Sequence, residues 1–219
     1  MMVTQRKKKE PSKFIIPLDH PVNDFIFEGE MDFSVCEQMI DLFEKNPDKH
    51  ASGKLTDLYT KGEEVQDYKK KRSRDMECWK FGEDNDIIVN YMGQLQKVLD
   101  QYLKLYTMAN ELPPFWATIP RIQRYDKKGH FNHWHFERGG NQTINRCLVY
   151  MTYLNDVEEG GETDFLYQKK SFQPRTGKTL IWPSEWTYTH KGMGPKRGYK
   201  YIATGWYVHQ VDNEGKNVI

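Results

Sequence analysis

The chain has 219 residues, with 32 Lys or Arg and 31 Asp or Glu, so its net charge at pH 7 is +1. A balance this even creates no global field that would attract nucleic acid or an anionic membrane, and we expect neither as a partner. The length fits one large domain that can bury a substantial core.

The cysteines and the N-terminus indicate where the protein works. Cys36, Cys78 and Cys147 are odd in number and form no C-x-x-C pair, which favours buried thiols in a reducing compartment over a disulfide scaffold or a structural zinc. Residues 1–13 are polar and basic without an apolar stretch, and we expect a flexible tail there. We therefore expect a cytoplasmic protein without a membrane anchor.

The first half of the chain is predicted to be mainly helical. Residues 14–18 and 24–27 favour short strands. One helix should run from Asp32 or Ser34 to about Asn46, with its apolar residues on one stripe. A second should open at Asp84 or Asp86 and continue through Tyr106, because apolar residues recur at helical spacing over that stretch.

Between these helices lies a long polar segment, residues 48–83. It shows little periodicity and holds a basic block at residues 69–72, which is typical of solvated surface. We predict an irregular excursion with one candidate strand. Long loops of this kind often line functional sites.

Beyond Pro113 the sequence changes to short β-rich pieces separated by glycine turns. Helices followed by many short strands predict an α+β fold in which a jelly roll carries helices on one face. We expect one domain over residues 14–219, with a helical part (14–115) and a jelly-roll core (116–210). The predicted strands of the core are residues 117–125, 131–137, 146–154, 165–167, 178–182, 186–190 and 200–208.

Candidate metal ligands lie in the predicted strand of residues 131–137. In an extended strand successive side chains alternate between faces, so His135 and Glu137 point the same way while Phe136 points away. His190, far along the chain, supplies a third ligand. Two imidazoles and one carboxylate make the facial triad of non-haem iron(II) oxygenases. The sequence therefore predicts a metal site of His135, Glu137 and His190.

Neighbouring histidines leave an alternative open. Strict alternation places His133 on the face of His135 and Glu137, and a cupin-like site would use His133 and His135 as its ligand pair. A cupin's glutamate lies further downstream than Glu137, so we favour His133 as a pocket residue beside the ligands. We expect His130 to be exposed and Trp134 to pack on the opposite face.

Further residues stand at ordered distances from the three ligands. Lys200 follows His190 by ten residues, and Trp206 follows Lys200 by six. The full set is Tyr125 with Gly129, His135 with Glu137, Tyr153-Leu-Asn155, Gly160-Gly-Glu-Thr-Asp-Phe165, His190-Lys-Gly192, Lys200 and Trp206. Over about residues 118–208 this pattern resembles the prolyl 4-hydroxylase-like group of 2-oxoglutarate- and iron(II)-dependent oxygenases.

The resemblance implies a double-stranded β-helix, a distorted jelly roll, whose ligands His135, Glu137 and His190 hold Fe(II). It also implies that Lys200 pairs with the distal carboxylate of 2-oxoglutarate and that Tyr125 helps to hold the same carboxylate. Physical reasoning agrees for Lys200, because a dicarboxylate inside a barrel needs a buried cation. For Tyr125, a core tyrosine with a satisfied hydroxyl is an open alternative.

Two positions depart from the family pattern. The family usually has aspartate where this chain has Glu137, and the longer side chain moves the carboxylate by about one C–C bond, which matters because metal ligation tolerates only about 0.2 Å. The threonine that the family places three residues after the strand's arginine is also missing, since Val149 follows Arg146 at that distance. The metal affinity is the property that the first departure affects.

The activity implied by the resemblance is hydroxylation of a C–H bond, with Fe(II) as metal, 2-oxoglutarate and O2 as cosubstrates, ascorbate as an optional reductant, and succinate and CO2 as products. A prolyl residue in a peptide or protein is the substrate that it implies, and a free amino acid is an alternative. A cupin-type metalloenzyme without 2-oxoglutarate and a non-catalytic jelly-roll binding module are the rival interpretations. Neither rival needs Lys200.

Overall fold

The computed structural model describes residues 24–56, 64–82 and 85–210. Across these ranges the chain forms two α-helices, α1 (Phe33–Glu44) and α2 (Asp86–Leu105), and short 3-10 turns. The strands are β1 (Phe27–Glu30), β2 (Ala51–Ser52), β3 (Leu55–Thr56), β4 (Glu64–Val65), β5 (Lys71–Arg72), β6 (Arg74–Glu77), β7 (Phe115–Ala117), β8 (Arg121–Tyr125), β9 (His130–His135), β10 (Arg146–Tyr153), β11 (Thr163–Phe165), β12 (Lys170–Phe172), β13 (Lys178–Pro183), β14 (His190–Gly192) and β15 (Lys200–His209).

The strands form two main antiparallel sheets. The larger sheet has the order β1-β13-β10-β15-β8-β6-β2, with β7 also paired to β15. The smaller sheet has the order β12-β11-β14-β9-β5, and β3 and β4 pair with each other. The α+β prediction is confirmed. The predicted tail of residues 1–13 and the strand of residues 14–18 lie outside the described residues, and the division into one domain stays a prediction.

Alternation along the central strand β10 creates two hydrophobic cores. Leu148 and Tyr150 face the helices, while Val149, Met151 and Tyr153 face the space between the sheets. Successive residues of a strand point to opposite faces, so one apolar strand serves both layers. The inner core, which underlies the candidate site, also contains Tyr125, Phe165, Phe172, Leu180, Trp182 and Ile202.

The helices cover the outer face of the larger sheet. Helix α2 begins one residue after its N-cap, Asn85, whose Oδ1 accepts hydrogen bonds from the backbone N–H groups of Ile87 and Ile88. The cap is thus Asn85 and not Asp86, which is the first helical residue.

Neither α1 nor α2 is long and apolar enough to cross a membrane.

The segment between the helices is more ordered than predicted. It contributes β2 to β6 among its described residues, and residues 57–63 and 83 lie outside them. Strand β6 pairs with β8 of the larger sheet and β5 pairs with β9 of the smaller one, so the segment fastens to both sheets. The prediction of one candidate strand was wrong, because each of these strands is only two to four residues long and depends on distant partners.

Three predicted strand boundaries also differ. The first strand of the described chain begins at Phe27, where residues 24–27 were predicted. The predicted strand of residues 186–190 is instead a 3-10 turn, Trp186–Tyr188, followed by β14. Strand β9 ends at His135, two residues before Glu137.

Candidate metal centre

The two histidines of the predicted triad lie on neighbouring strands. His135 at the end of β9 is the direct register partner of His190 at the start of β14, and their ring centroids are 4.3 Å apart. Glu137 reaches the same place from beyond the strand. Its backbone N–H and that of Arg138 both donate to the carbonyl of Ser184, at 3.2 Å and 3.0 Å. The structure therefore brings the three predicted ligands together, although strand alternation does not place Glu137.

Hydrogen bonds fix which nitrogen each imidazole offers. His135 Nδ1 lies 2.8 Å from the carbonyl oxygen of His133, and His190 Nδ1 lies 2.9 Å from that of Tyr188. A carbonyl oxygen only accepts, so each Nδ1 carries the proton and each Nε2 keeps its lone pair. Both Nε2 atoms lie 3.7 Å from Glu137 Oε1.

This geometry fits a metal ion. One ligand atom from each of the three side chains lies within 4.8 Å of the others. Bonds of about 2.1 Å to one ion would hold ligand atoms about 3.0 to 3.4 Å apart, so a small inward shift closes the 3.7 Å separations. The donor set of two imidazoles and a carboxylate suits Fe(II).

The protonation states also suit metal binding. Burial, together with the neighbouring His190, lowers the pKa of His135 to about 3, and burial lowers the pKa of His190 as well. Burial alone would raise the pKa of Glu137, but its interactions with His135, the Arg146 guanidinium, His190 and the Trp206 N–H outweigh burial and hold that pKa below its ordinary value. The site therefore offers neutral imidazoles and a charged carboxylate, the forms that bind metals.

The second carboxylate oxygen of Glu137 has partners that the sequence did not reveal. Trp206 Nε1 donates to Oε2 at 2.9 Å, and Arg146 Nη1 donates to the same atom at 3.2 Å. The Arg146 guanidinium stacks on the Trp206 ring, 3.6 Å from its centroid. Trp206 is in the quoted motif set, whereas Arg146 is named only as the arginine before the missing threonine, and the spacing of the two residues gave no sign that they would meet at Glu137.

The other histidines of β9 agree only in part with the prediction. The side chain of His133 is exposed, and its backbone carbonyl oxygen lies 2.8 Å from His135 Nδ1, so His133 supports a ligand through its backbone. His130 is half-buried instead of exposed, and its buried Nδ1 lacks a hydrogen-bond partner among the described residues. Trp134 is 37% exposed, with Lys191 Nζ 4.6 Å from its ring centroid. The packing partner of His135 is Phe131, stacked at 3.7 Å.

Lys200 lies in the interior between the sheets. It is 2% exposed, and its Nζ sits 5.5 Å from the ring centroids of both Tyr125 and Tyr153. No hydrogen bond or ion pair joins this Nζ to any residue in the described part of the chain. Burial lowers the pKa of Lys200 to about 7, even though Glu162 and Asp164 favour the charged form.

An unpaired buried cation is costly unless an anion joins it. The ammonium also lies beside the strand that carries His190, because a Cβ placed on Gly192 would be 3.8 Å from Lys200 Nζ. A dicarboxylate could therefore place one carboxylate at Lys200 and extend toward the metal ligands. The site fits 2-oxoglutarate on this observation.

Tyr125 is the register partner of Lys200, with β8 beside β15. Its hydroxyl donates to Gln123 Oε1 at 2.6 Å, and Gln123 Nε2 donates to the buried Asp75. Asp75 in turn forms a 2.9 Å ion pair with Lys71, which is also buried. Because the hydroxyl proton is directed at Gln123, the role of Tyr125 toward a cosubstrate stays a prediction.

Comparisons with known proteins agree with this picture. Residues 120–208 match the model of the 2OG-Fe(II) oxygenase superfamily. Probable prolyl 4-hydroxylase 9 of Arabidopsis thaliana is 29% identical over 114 residues, which are 42% of this chain and 39% of that protein. The chain thus spans about two fifths of the length of this curated relative.

Solved prolyl hydroxylases share the fold. A Trichoplax adhaerens prolyl hydroxylase, in complex with a peptide fragment of the hypoxia inducible factor oxygen degradation domain, superposes with a TM-score of 0.64 at 14% identity, covering 84% of both chains. The viral collagen prolyl hydroxylase of Paramecium Bursaria Chlorella virus-1, in its 2OG complex, gives 0.57 at 14% identity, covering 84% of this chain and 96% of that one. A Pseudomonas putida prolyl-4-hydroxylase gives 0.60 at 11% identity, covering 84% and 93%.

The resemblance and the jelly-roll prediction are therefore confirmed: residues 120–208 carry the 2OG-Fe(II) oxygenase superfamily match, and the chain has the fold of the prolyl hydroxylases.

Proposed function

We propose that this protein is an Fe(II)- and 2-oxoglutarate-dependent dioxygenase that hydroxylates a C–H bond of a prolyl residue in a peptide or protein, with release of succinate and CO2. The proposal rests on the observation that a cluster of metal ligands and a buried cation lie in the same interior, between the two sheets. Three ligand atoms converge from His135, Glu137 and His190, and the buried ammonium of Lys200, which has no anionic partner among the described residues, lies beside the strand that bears His190.

Different residues would bind the metal and the cosubstrate. His135 and His190 present fixed Nε2 lone pairs, and Glu137 supplies the negative charge that offsets part of the metal's charge. Lys200 would hold the far carboxylate of 2-oxoglutarate through a charge-assisted hydrogen bond. Bound Fe(II), together with 2-oxoglutarate and O2, would supply the oxidising chemistry.

Aromatic rings shield the ligands from water. Phe131 stacks on His135, while Phe165 and Trp182 lie 5.5 Å and 5.1 Å from the ring of His190. Their packing restricts the two imidazoles to one orientation and limits the access of water to them.

A peptide or protein is the substrate class that we favour over a free amino acid. The support is the likeness to prolyl hydroxylases, one of which was solved with a peptide. The proposal includes ascorbate as an optional reductant, on the resemblance alone. It also includes a reducing, cytoplasmic setting, for which the support is that Cys36, Cys78 and Cys147 are all free thiols.

Coupled turnover tests the proposal. The purified protein is incubated with Fe(II), 2-oxoglutarate and a library of proline-containing peptides, and succinate and a 16 Da mass gain of the peptide are measured together. We expect both products to depend on iron, 2-oxoglutarate and O2. Succinate without any modified peptide would show decarboxylation uncoupled from peptide hydroxylation, and the same assay with free amino acids in place of peptides would then test the alternative substrate class. The complete absence of 2-oxoglutarate consumption would favour a cupin-type enzyme or a binding module.

Proton uptake on cosubstrate binding is a further expected result. Because the folded pKa of Lys200 is about 7, most Lys200 is neutral at pH 8 before binding, whereas a carboxylate partner favours the ammonium. Binding should then take up a proton at pH 8, up to about one per site, and the affinity for 2-oxoglutarate should fall as the pH rises above 7, by up to about tenfold per pH unit. Glu162 and Asp164 oppose this loss of the proton but do not prevent it.

Calorimetry of the anaerobic iron protein in two buffers of different ionisation enthalpy measures this uptake. The control is Lys200→Arg, whose guanidinium stays charged and so should take up no proton at this position. Equal binding enthalpies in both buffers for the unmodified protein would contradict the expectation.

A further inference from the structure

We infer that Arg146 and Trp206 form a carboxylate clamp that holds Glu137 Oε2 and leaves only Oε1 for the metal. The inference rests on the proposed function, because it takes His135, Glu137 and His190 as metal ligands. Arg146 and Trp206 are positioning residues in this scheme, since neither contacts the metal position.

The two oxygens of Glu137 have separate surroundings. Oε1 faces both imidazoles at 3.7 Å, whereas Oε2 accepts from Trp206 Nε1 at 2.9 Å and from Arg146 Nη1 at 3.2 Å. The same Arg146 nitrogen donates to the backbone carbonyl of Glu137 at 3.0 Å. Side chain and backbone of the ligand are therefore held together by one guanidinium.

The clamp comes from the opposite sheet. Arg146 begins β10 and Trp206 lies in neighbouring β15, both in the larger sheet, whereas Glu137 follows β9 of the smaller sheet. The guanidinium stacks on the indole ring, so its plane is fixed as well as its charge. A glutamate has one more rotatable bond than an aspartate, and a clamp of this rigidity removes that freedom before a metal arrives.

Holding Oε2 also has a chemical consequence. A carboxylate with two free oxygens can chelate an ion with both, which would occupy a coordination position that the reaction needs open. Two donors on Oε2 satisfy its lone pairs and make it a poorer ligand than Oε1. The clamp thus favours ligation of the metal through Oε1 alone.

The clamp is tested by measuring the metal affinity of the Trp206→Phe variant. This substitution keeps an aromatic ring beneath Arg146 and removes the N–H donor. Anaerobic titration of the metal-free protein with Co(II), followed by its visible absorbance, should show binding weakened by about 10- to 100-fold and an altered spectrum. Arg146→Gln should weaken binding in the same direction. The control is Trp116→Phe on β7, since the Trp116 Nε1 has no hydrogen-bond partner among the described residues; it should bind within about twofold of the unmodified protein.

A double-mutant cycle combines Trp206→Phe with Glu137→Asp. It shows whether Trp206 acts by positioning the Glu137 carboxylate or by supporting the surrounding structure. The shorter carboxylate should bind Co(II) more weakly, and adding Trp206→Phe to it should cost little more, because its second oxygen no longer reaches the indole. Fully additive losses, or unchanged binding in Trp206→Phe alone, would overturn the clamp. Failure of the unmodified protein to bind Co(II) or Fe(II) would instead refute the proposed function, so the two failures are distinguishable.

Discussion

Replacing His135 or His190 with alanine is expected to abolish 2-oxoglutarate turnover. Each change removes one of the two Nε2 lone pairs that face Glu137 Oε1 in the described structure, and the remaining imidazole and carboxylate make an incomplete triad. Succinate formation at saturating iron should fall to the level of an iron-free control. Metal retained after dialysis should fall in parallel, which ties the loss to ligation instead of to substrate binding.

His133→Ala is the informative comparison for this result. His133 lies on the same strand, its side chain is exposed, and the carbonyl that orients His135 remains in the alanine variant. Turnover near that of the unmodified protein is expected, whereas a cupin-like pair of His133 and His135 would lose its metal. Near-normal succinate formation by the His190 variant would contradict the ligand assignment. Melting curves of each metal-free variant control for misfolding, since His190 is buried.

The ligands could be predicted from motif spacing, but the reason given for Glu137 was incomplete. Alternation along a strand placed it beside His135, yet β9 ends at His135 and the chain turns. Two backbone hydrogen bonds to the carbonyl of Ser184 carry Glu137 to the site. Such a contact between distant segments leaves no local pattern in the sequence, and the same holds for the meeting of Arg146 and Trp206 at Oε2.

Composition alone was not enough to predict which side chains of residues 48–83 are buried. Its basic block was predicted to be solvated surface, and Lys71 within it is instead buried in an ion pair with Asp75. Charge runs are usually exposed, so the sequence favours that interpretation. This interpretation fails because β5 pairs with β9 and β6 pairs with β8, so the segment is part of both sheets.

Helical and core features were easier to predict because they depend on local periodicity. The apolar stripe of α2 identifies the helix over its whole length, since its buried residues recur every three or four positions. Strand β10 gave an equally clear signal as a run of apolar residues that serve two cores. The role of Lys200 was implied by the family resemblance instead of by local periodicity, and its burial agrees with a cation held for a carboxylate.

Lys200→Ala is expected to raise the half-saturating concentration of 2-oxoglutarate by about a hundredfold. A charge-assisted contact contributes about 1.5 to 3 kcal/mol, and its removal also leaves the cosubstrate carboxylate without a partner in a dry interior. A loss near the upper end of that range corresponds to about two factors of ten, at about 1.4 kcal/mol each. The affinity for Fe(II) should change little, because Lys200 is not one of the three grouped ligands.

The decisive measurement is a titration of the anaerobic iron protein with 2-oxoglutarate, followed by the charge-transfer absorbance of the complex. Lys200→Arg should keep part of the affinity, since a guanidinium can pair with a carboxylate, but its bulk must fit between the rings of Tyr125 and Tyr153. Tyr125→Phe should have a smaller effect than Lys200→Ala, because the hydroxyl already donates to Gln123. Superimposable curves for Lys200→Ala and the unmodified protein would exclude this lysine as the anchor and would favour the interpretations that do not require 2-oxoglutarate.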